Sequence, residues 1–340
     1  MSFGIGARSV GGIALLLATV ALSACGGGGD SGAPAPAPAP AGPTDAQRSA
    51  AATSTANSAT NACAPIAPFY WEIGDRNARI ASGSVNSAGS STVYIATSLM
   101  SIASASKWLY GAYVVQKRNA LLSDSDIKFL NFRSGYTNFS SCLQGQSVDG
   151  CVAYQSNGVH SAATDGFFAY DGGHMENHAS QSMGLGPLLN AGLASEIRAQ
   201  LGSDVNLLYT QPQLAGGVAT TADDYARFLR KLLGGQLQMG ALLGTHAVCT
   251  NPATCPTALR TPVPSTESWH YSLGHWVEDD PVVGDGAFSS AGAFGFYPWI
   301  DASKSWYGVL ARQVVNSGEG FNSADCGRLI RKAWVTGVAL

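Results

Sequence analysis

The 340-residue chain carries little charge, since only 12% of its residues are Asp, Glu, Lys or Arg, against about 25% in an average soluble protein. Its net charge of -3 leaves no basic excess, so nucleic acid is not an expected partner. An apolar run at residues 13–22 is too short to cross a bilayer. Hydrophobic residues nevertheless make up 46% of the chain, which is enough for a sizeable core.

Several catalytic and metal-binding patterns are also missing. No G-x-S-x-G sequence occurs, which argues against an α/β-hydrolase with a Ser-His-Asp triad. The cysteines contain no C-x-x-C pair, which argues against zinc. His174 and His178 could share a metal on a helix, but the segment is not H-E-x-x-H and Gly172-Gly173 favours a loop. No third ligand is evident, and we expect neither a metal nor a cofactor.

The sequence does contain a serine and a lysine three residues apart. Ser104 and Lys107 lie where a helix is predicted to begin, so their side chains share one helix face. The hydroxyl would lie at the positive end of the helix dipole. The amine could accept its proton if burial lowered the lysine pKa from its usual value of about 10.4. Taken alone, the pattern also fits an ordinary helix start with a surface lysine.

The apolar lead-in, the S-x-x-K sequence and the helix ending at 119–124 together resemble the serine β-lactamase and penicillin-binding-protein superfamily. The resemblance is closest to the class C-like branch, which includes carboxylesterases and aminohexanoate-dimer hydrolases. Gly216-Gly217, ahead of a Thr-capped helix at 221–233, matches the superfamily as well. The resemblance implies an α/β (α+β) fold, with a central antiparallel sheet flanked by helices and a mostly helical, loop-rich second lobe.

The resemblance also implies catalytic residues. Ser104 is the expected nucleophile, and Lys107 is its expected base. Tyr170 is the best match to the tyrosine of the superfamily's Tyr-x-Asn motif and is expected to move protons. Gly172 stands where that motif has Asn, which weakens the expected recognition of substrate amides. Tyr154 is the alternative to Tyr170.

The superfamily's third motif, Lys/His-x-Gly, corresponds to Ser290-Ala291-Gly292. The glycine is present and the basic residue is not. The backbone N–H groups of Ala293 and Ser104 are expected to form the oxyanion hole. Aromatic residues flank these motifs, and most of them are expected in the core. The residues expected to contact substrate are Ser290, Gly292, His174, Trp269 and Trp299.

The presence of Ser104 and Lys107, together with the absence of the basic residue from the third motif, favours a serine hydrolase that acts through an acyl-enzyme on uncharged esters or amides. Arg260 or Arg312 could replace the missing cation, and the protein would then be a β-lactamase or a D-Ala-D-Ala peptidase. The non-enzyme alternative is a binding lipoprotein that keeps the fold with weakened catalysis. The presence of both Ser104 and Lys107 counts against that alternative.

The N-terminus resembles a bacterial lipoprotein signal peptide, predicted over residues 1–24. Its apolar run ends in Leu22-Ser23-Ala24-Cys25, which resembles a lipobox, and Cys25 is the predicted lipidation site. Gly26 favours anchoring in the outer membrane, on its periplasmic or surface face. Residues 25–62 include a glycine tract and an Ala-Pro repeat. They are predicted to form a disordered tether between the membrane and the domain.

Residues 63–340 are predicted to form one catalytic domain. Its α/β lobe covers about 63–115 and 285–340, and its helical, loop-rich lobe covers about 116–284. Six cysteines fall in this domain, and an even count in an oxidising compartment predicts three disulfides. Short sequence separation favours two pairs, and the third joins the cysteines that remain. The predicted pairs are Cys142–Cys151, Cys249–Cys255 and Cys63–Cys326.

Overall fold

Short strands alternate with helices along residues 42–314 and 318–340, the part of the chain described by a computed structural model. The strands are β1 (Phe69–Gly74), β2 (Arg79–Val85), β3 (Met100–Ser101), β4 (Phe168–Ala169), β5 (Leu207–Tyr209), β6 (Val218–Thr220), β7 (Val248–Cys249), β8 (Ala258–Arg260), β9 (His270–Ser272), β10 (His275–Glu278), β11 (Ala287–Ser289), β12 (Tyr297–Ile300) and β13 (Tyr307–Ala311). The helices are α1 (Asp45–Ala56), α2 (Ser106–Lys117), α3 (Asp124–Leu130), α4 (Val148–Val152), α5 (Gly173–Gln181), α6 (Asn190–Leu201), α7 (Ala222–Leu233), α8 (Met239–Leu242) and α9 (Glu319–Thr336).

Eight of these strands form one antiparallel sheet in the order β2-β1-β13-β12-β11-β10-β9-β7. β1 pairs with β13, so strands from distant parts of the chain lie side by side. Side chains alternate between the two faces of a strand. Tyr297 of β12 points towards α9, where its hydroxyl accepts a hydrogen bond from Arg331, while Tyr307 of β13 points towards α7 and accepts one from Arg230. Helices therefore cover both faces, and β1, β12 and β13 are buried throughout.

Helix α2 is a core helix. Its residues from Ser106 to Val115 are all buried, which is the pattern of a helix enclosed on every side. Gly111 on this helix lies so close to the Leu273 carbonyl that a Cβ atom would be only 2.1 Å from the oxygen. The close packing against the large sheet fixes the position of α2 and of the turn that precedes it.

Helix α1 lies inside the segment predicted as a disordered tether, so that prediction is wrong for residues 45–56. Thr44 caps the helix, because its hydroxyl accepts the Gln47 N–H and the Gln47 side chain accepts the Thr44 N–H. Arg48 donates to the Trp334 carbonyl on α9 at 2.8 Å. The alanine-rich composition that suggested a linker instead lets α1 pack against α9.

The predicted signal peptide, Cys25 and the tether residues up to 41 lie outside the described residues. In residues 42–314 and 318–340, no helix combines the length and the apolar composition that a bilayer crossing requires.

The predicted boundary of the helical lobe is also wrong, because β7, β9 and β10 belong to the large sheet. β9 and β10 form a hairpin through Leu273 and Gly274, which have φ values of 45° and 94°. Two positive φ values are typical of the turns that close tight hairpins. Leu-Gly lacks the Asn-Gly or Asp-Gly signature of such turns, and the strands are short. This hairpin therefore left no clear sequence signal.

The structure joins the cysteines of the domain as Cys63–Cys326, Cys142–Cys151 and Cys249–Cys255. The first pair spans 263 residues and ties the segment after α1 to α9. The other two close short loops, one beside α4 and one after β7.

Candidate active site

Ser104 lies in a 3-10 turn, Ala103–Ala105, immediately before α2. The α-helix itself begins at Ser106, two residues later than the sequence predicts. Ala103 has a φ of 43°, in the left-handed region that alanine rarely adopts. Backbone strain of this kind persists only where the surrounding contacts fix it, and it is concentrated at functional sites.

Side-chain hydrogen bonds hold this turn. The Ser106 hydroxyl donates to the Ala103 carbonyl at 2.6 Å and accepts the Val218 N–H at 3.2 Å. The Tyr225 hydroxyl of α7 donates to the Ala105 carbonyl at 2.9 Å. Ser106, Val218 and Tyr225 are all buried. The turn is therefore anchored both to β6 and to α7.

Lys107 points from α2 back to Ser104. Its Nζ lies 2.9 Å from Ser104 Oγ and 2.7 Å from the Ala215 carbonyl oxygen. Burial lowers the pKa of Lys107 to about 7, while the charges of Glu176 and Asp171 oppose the decrease. An amine with such a pKa is largely neutral just above pH 7 and can accept a proton from a hydroxyl.

Tyr170 faces the same pair of residues. Its ring centroid lies 4.9 Å from Lys107 Nζ, and the ring stacks on Trp276 at 5.2 Å. Burial raises the pKa of Tyr170, and the neighbouring Ser104 hydroxyl opposes the increase. The phenol therefore keeps its proton at neutral pH and can serve as a donor. The hydroxyl of Tyr154, the alternative, instead contacts the side chain of its neighbour Gln155.

The segment after Tyr170 is held by a buried carboxylate. Asp171 accepts the N–H groups of Gly173 at 2.8 Å and Phe139 at 3.3 Å, and it pairs with Arg260. The Phe139 ring lies over Gly172, where a Cβ atom would be 3.0 Å from the ring. An aromatic ring thus covers the position at which the superfamily motif has Asn.

The segment 290–292 approaches the backbone just before Ser104 closely through Gly292. A Cβ atom there would lie 2.1 Å from the Ile102 carbonyl oxygen, so only glycine fits. Ser290 is 3% exposed, and its hydroxyl donates to the Ser104 carbonyl at 3.2 Å. Ser290 and Gly292 therefore pack against the backbone of the Ser104 turn and do not line the cleft, contrary to prediction. The Ala293 N–H donates to no acceptor among the described residues.

Ser104 and Lys107 open into a cleft of about 390 Å³. Its walls include two aromatic rings, Phe139 and Phe294, and two amide side chains, Gln211 and Gln213. Of the residues that line the cleft, only Lys107 is charged. The cleft thus contains the Ser104–Lys107 pair and has otherwise neutral walls.

His174 and His178 are buried structural residues of α5, a helix where a loop was predicted. The His174 ring contacts the Ser134 hydroxyl at 2.7 Å and the Ala169 carbonyl at 3.1 Å. Burial lowers the pKa of His174 to about 3. Both nitrogens of His178 are also engaged, with Tyr110 and Asp126. The prediction that His174 contacts substrate is therefore wrong.

Trp269 and Trp299 are core residues as well. Trp269 is 1% exposed, its indole N–H donates to Glu267 at 2.7 Å, and the Arg328 guanidinium lies 5.1 Å from its ring. Trp299 packs over Gly308 on the neighbouring strand. Neither lines the cleft, so the prediction that they contact substrate is wrong.

Glu176 is a site residue that the sequence reasoning missed. It lies on α5, fully buried, and its carboxylate accepts the N–H groups of Leu214 at 2.9 Å and Ala215 at 3.0 Å. A glutamate in a segment read as a loop carries no motif or periodic signal. Only the packing of α5 beside the Ala215 loop brings its carboxylate to the site.

The fold is that of β-lactamase-like proteins, as the sequence predicts. Simvastatin synthase LovD from Aspergillus terreus superimposes with a TM-score of 0.56 and 13% identity, covering 85% of this chain and 97% of that chain. EstCE1, a hydrolase with promiscuous acyltransferase activity, superimposes with a TM-score of 0.55 and 12% identity, covering 86% of this chain and 99% of that chain. For the octameric penicillin-binding protein homologue from Pyrococcus abyssi, the TM-score is 0.57 and the identity 11%, covering 80% of this chain and 74% of that chain.

In sequence, the chain matches no protein-family model and no curated protein. At identities of 11–13%, the structural likeness establishes the fold alone. Any activity therefore depends on the residues of the cleft itself.

Proposed function

We propose that the protein is a serine hydrolase of the S-x-x-K type that works through an acyl-enzyme. The observation that carries the proposal is the 2.9 Å contact between Lys107 Nζ and Ser104 Oγ at the base of the cleft. A buried lysine beside a serine, with neutral oxygens as its hydrogen-bond partners, is arranged to act as a base. The fold shared with the hydrolase EstCE1 supports the same class.

In the proposed reaction, the neutral Lys107 amine donates one N–H to the Ala215 carbonyl and directs its lone pair at the Ser104 hydroxyl. Ser104 Oγ attacks the substrate carbonyl carbon while its proton passes to the amine. The oxyanion accepts hydrogen bonds from the backbone N–H groups of Ser104 and Ala293. Tyr170 gives its proton to the leaving group and regains one from the Lys107 ammonium. Water then releases the acyl group by the same route.

We propose uncharged esters or amides as the substrates. Neither arginine that could have replaced the missing cation is available to bind a carboxylate. Arg260 pairs with Asp171, while Arg312 is 4% exposed and pairs with Glu319 at 2.6 Å. The aromatic walls of the cleft suit apolar acyl or leaving groups.

A fluorophosphonate probe tests the proposed nucleophile. We expect one probe molecule per chain, attached to Ser104, and no labelling of Ser104→Ala. Ser101→Ala is the matched control, because Ser101 lines the same cleft and should leave labelling unchanged. Equal labelling of Ser104→Ala would refute the assignment. Absence of labelling in the folded wild type would favour a binding protein.

We also propose that the enzyme is exported and anchored to the outer membrane by a lipid on Cys25. The lipobox-like sequence supports this proposal, and three disulfides suit an oxidising compartment. Feeding a labelled fatty acid to the expressing bacterium should label the wild type and not Cys25→Ser. A wild type recovered without lipid would contradict the anchor.

A further inference from the structure

Glu176 is a buried carboxylate that the proposed reaction does not use directly. Both of its oxygens accept backbone N–H groups from one short loop, Oε2 from Leu214 and Oε1 from Ala215. No ion pair satisfies it among the described residues, so these backbone donors are its hydrogen-bond partners. A buried carboxylate held in this way fixes the loop in one position.

The same loop holds the lysine. The Ala215 N–H donates to Glu176, while the Ala215 carbonyl accepts from Lys107 Nζ at 2.7 Å. One peptide segment thus connects the carboxylate to the amine. If the loop moved, the acceptor would move with it and Nζ would lose its alignment with Ser104 Oγ.

We propose that Glu176 is a positioning residue, which aligns Lys107 through the Ala215 loop and whose charge raises the pH at which the amine becomes a base. The inference rests on the proposed serine-hydrolase function. It assigns to Glu176 two separable effects, one geometric and one electrostatic, which different substitutions can remove one at a time.

The charges around the pair favour Glu176 as the main electrostatic partner. Asp171 also acts on Lys107, but the Arg260 guanidinium compensates it. Of the two carboxylates, Glu176 acts more strongly on Lys107 and has no such cation beside it. Burial raises the pKa of Glu176, but the Leu214 and Ala215 N–H groups donate to both of its oxygens and, together with Lys107, oppose the increase and favour the ionised carboxylate.

The remaining titratable groups that face the pair are tyrosines. Tyr110 and Tyr209 lie near Glu176, and burial together with the Glu176 charge raises the pKa of each hydroxyl. Tyr170 faces Lys107, and its pKa is raised as well. All three stay neutral near pH 7, so they do not mask the effect of Glu176.

The experiment compares Glu176→Gln with Glu176→Asp in the full chain, using kcat/KM for a 4-nitrophenyl ester as a function of pH. Gln keeps the length and removes the charge, so the acid limb should move to lower pH by about one pH unit. Asp keeps the charge, but its side chain is one methylene shorter and cannot hold the Ala215 loop in the same position. The plateau kcat should therefore fall about 10- to 100-fold, while the acid limb of the pH profile stays at the wild-type pH. The rate of fluorophosphonate labelling should show the same pH shift.

Glu196→Gln is the matched control. Glu196 bonds Tyr113 at 3.0 Å and Lys117 at 2.8 Å near the far end of α2, so its loss should leave the pH profile unchanged. A wild-type profile in Glu176→Gln overturns the inference, and so does failure of both Glu176 variants to fold. If Ser104→Ala is inactive while Glu176→Gln is normal, only this inference fails. If Ser104→Ala stays active, the proposed function fails.

Discussion

Two buried cations in this fold have opposite surroundings. Lys107 in the cleft contacts the neutral oxygens of Ser104 and Ala215, and burial lowers its pKa to about 7. Arg331 in α9 has a side chain that is 1% exposed, and it donates to Glu278 at 2.8 Å. It also contacts Asp285 and Tyr297, in what we term the Arg331 cluster.

The comparison separates a charge that supports the fold from an amine that the proposed function uses as a base. Burial alone would lower the pKa of Arg331, but Tyr297, Glu278 and Asp285 raise it above its usual value. Arg331 therefore stays charged, and it is the nearest cation to the fully buried Glu278 carboxylate. Lys107 has no carboxylate within hydrogen-bonding distance among the described residues, so its proton can be exchanged near neutral pH.

The largest expected effect is that of Lys107→Met on catalysis. Without the base, kcat/KM for a 4-nitrophenyl ester should fall by at least about 10⁴-fold. In the proposed reaction Ser104 and Lys107 act as one unit, so removing either one disables both. Thermal stability should not decrease, since an apolar side chain of similar length replaces a poorly solvated amine. Kinetics and a thermal melt on the same sample measure both.

Lys117→Met is the control for this prediction. Lys117 ends the same helix, and its side chain is 42% exposed and paired with Glu196. We expect its activity to match the wild type. Substantial turnover by Lys107→Met would remove the distinction between the two cations.

The next largest expected effect is a loss of folding stability without a loss of catalytic activity. Arg331→Met removes the cation 2.8 Å from the buried Glu278 and leaves only Arg328 at 3.6 Å, which should lower the free energy of unfolding by about 3 to 5 kcal/mol. The kcat per active site, counted by fluorophosphonate titration, should stay the same. Denaturant unfolding gives the first quantity. Lys332→Met, at the exposed neighbouring position, should change neither one, and a large drop in kcat for Arg331→Met would show that the two regions are coupled.

The local part of the candidate site is the part that the sequence could predict. Ser104 and Lys107 are three residues apart, and helical geometry alone brings such side chains together. The α7 cap is equally local, since Thr221 accepts the Asp224 N–H as its position suggests. Such signals depend on a few neighbouring residues and survive any arrangement of the rest of the chain.

Long-range packing decided the predictions that failed. Whether an aromatic residue lines a cleft or fills the core depends on what lies against it, and Trp299 has Gly308 of the next strand beneath it. Ser290 occupies the expected place in the sequence, but its hydroxyl turns to the Ser104 carbonyl. Helix α1 looks like a linker until α9 covers it. None of these contacts is encoded within a short window.

A smaller effect is expected on substrate choice. The Arg331 cluster shows that this chain can place arginines against carboxylates, yet the cleft has no such cation among its lining residues. A charge-assisted hydrogen bond contributes about 1.5 to 3 kcal/mol, so anionic substrates should bind about 10- to 100-fold more weakly than comparable neutral ones. We expect kcat/KM for a 4-nitrophenyl ester to exceed that for a chromogenic cephalosporin and for a D-Ala-D-Ala peptide.

A cephalosporin methyl ester is the matched control, because it differs from the parent mainly in its charge. It should bind about 10- to 100-fold more tightly than the free acid. Preference for either anionic compound over the neutral ester would mean that Arg260 or Arg312 leaves its carboxylate and enters the cleft, and the protein would then be a lactamase or peptidase.

The smallest expected effect is on the pH dependence of the rate. Lys107 must be neutral to accept the Ser104 proton, and burial lowers its pKa to about 7. Below that pH the amine is protonated and the rate falls, so kcat/KM should decrease about tenfold between about pH 8 and pH 6. Arg331 keeps its charge over this range, so circular dichroism should show an intact fold at the lower pH. The residual activity of Lys107→Met should not show this decrease in rate at low pH. If the decrease persisted in that variant, the titrating group would be a residue other than Lys107.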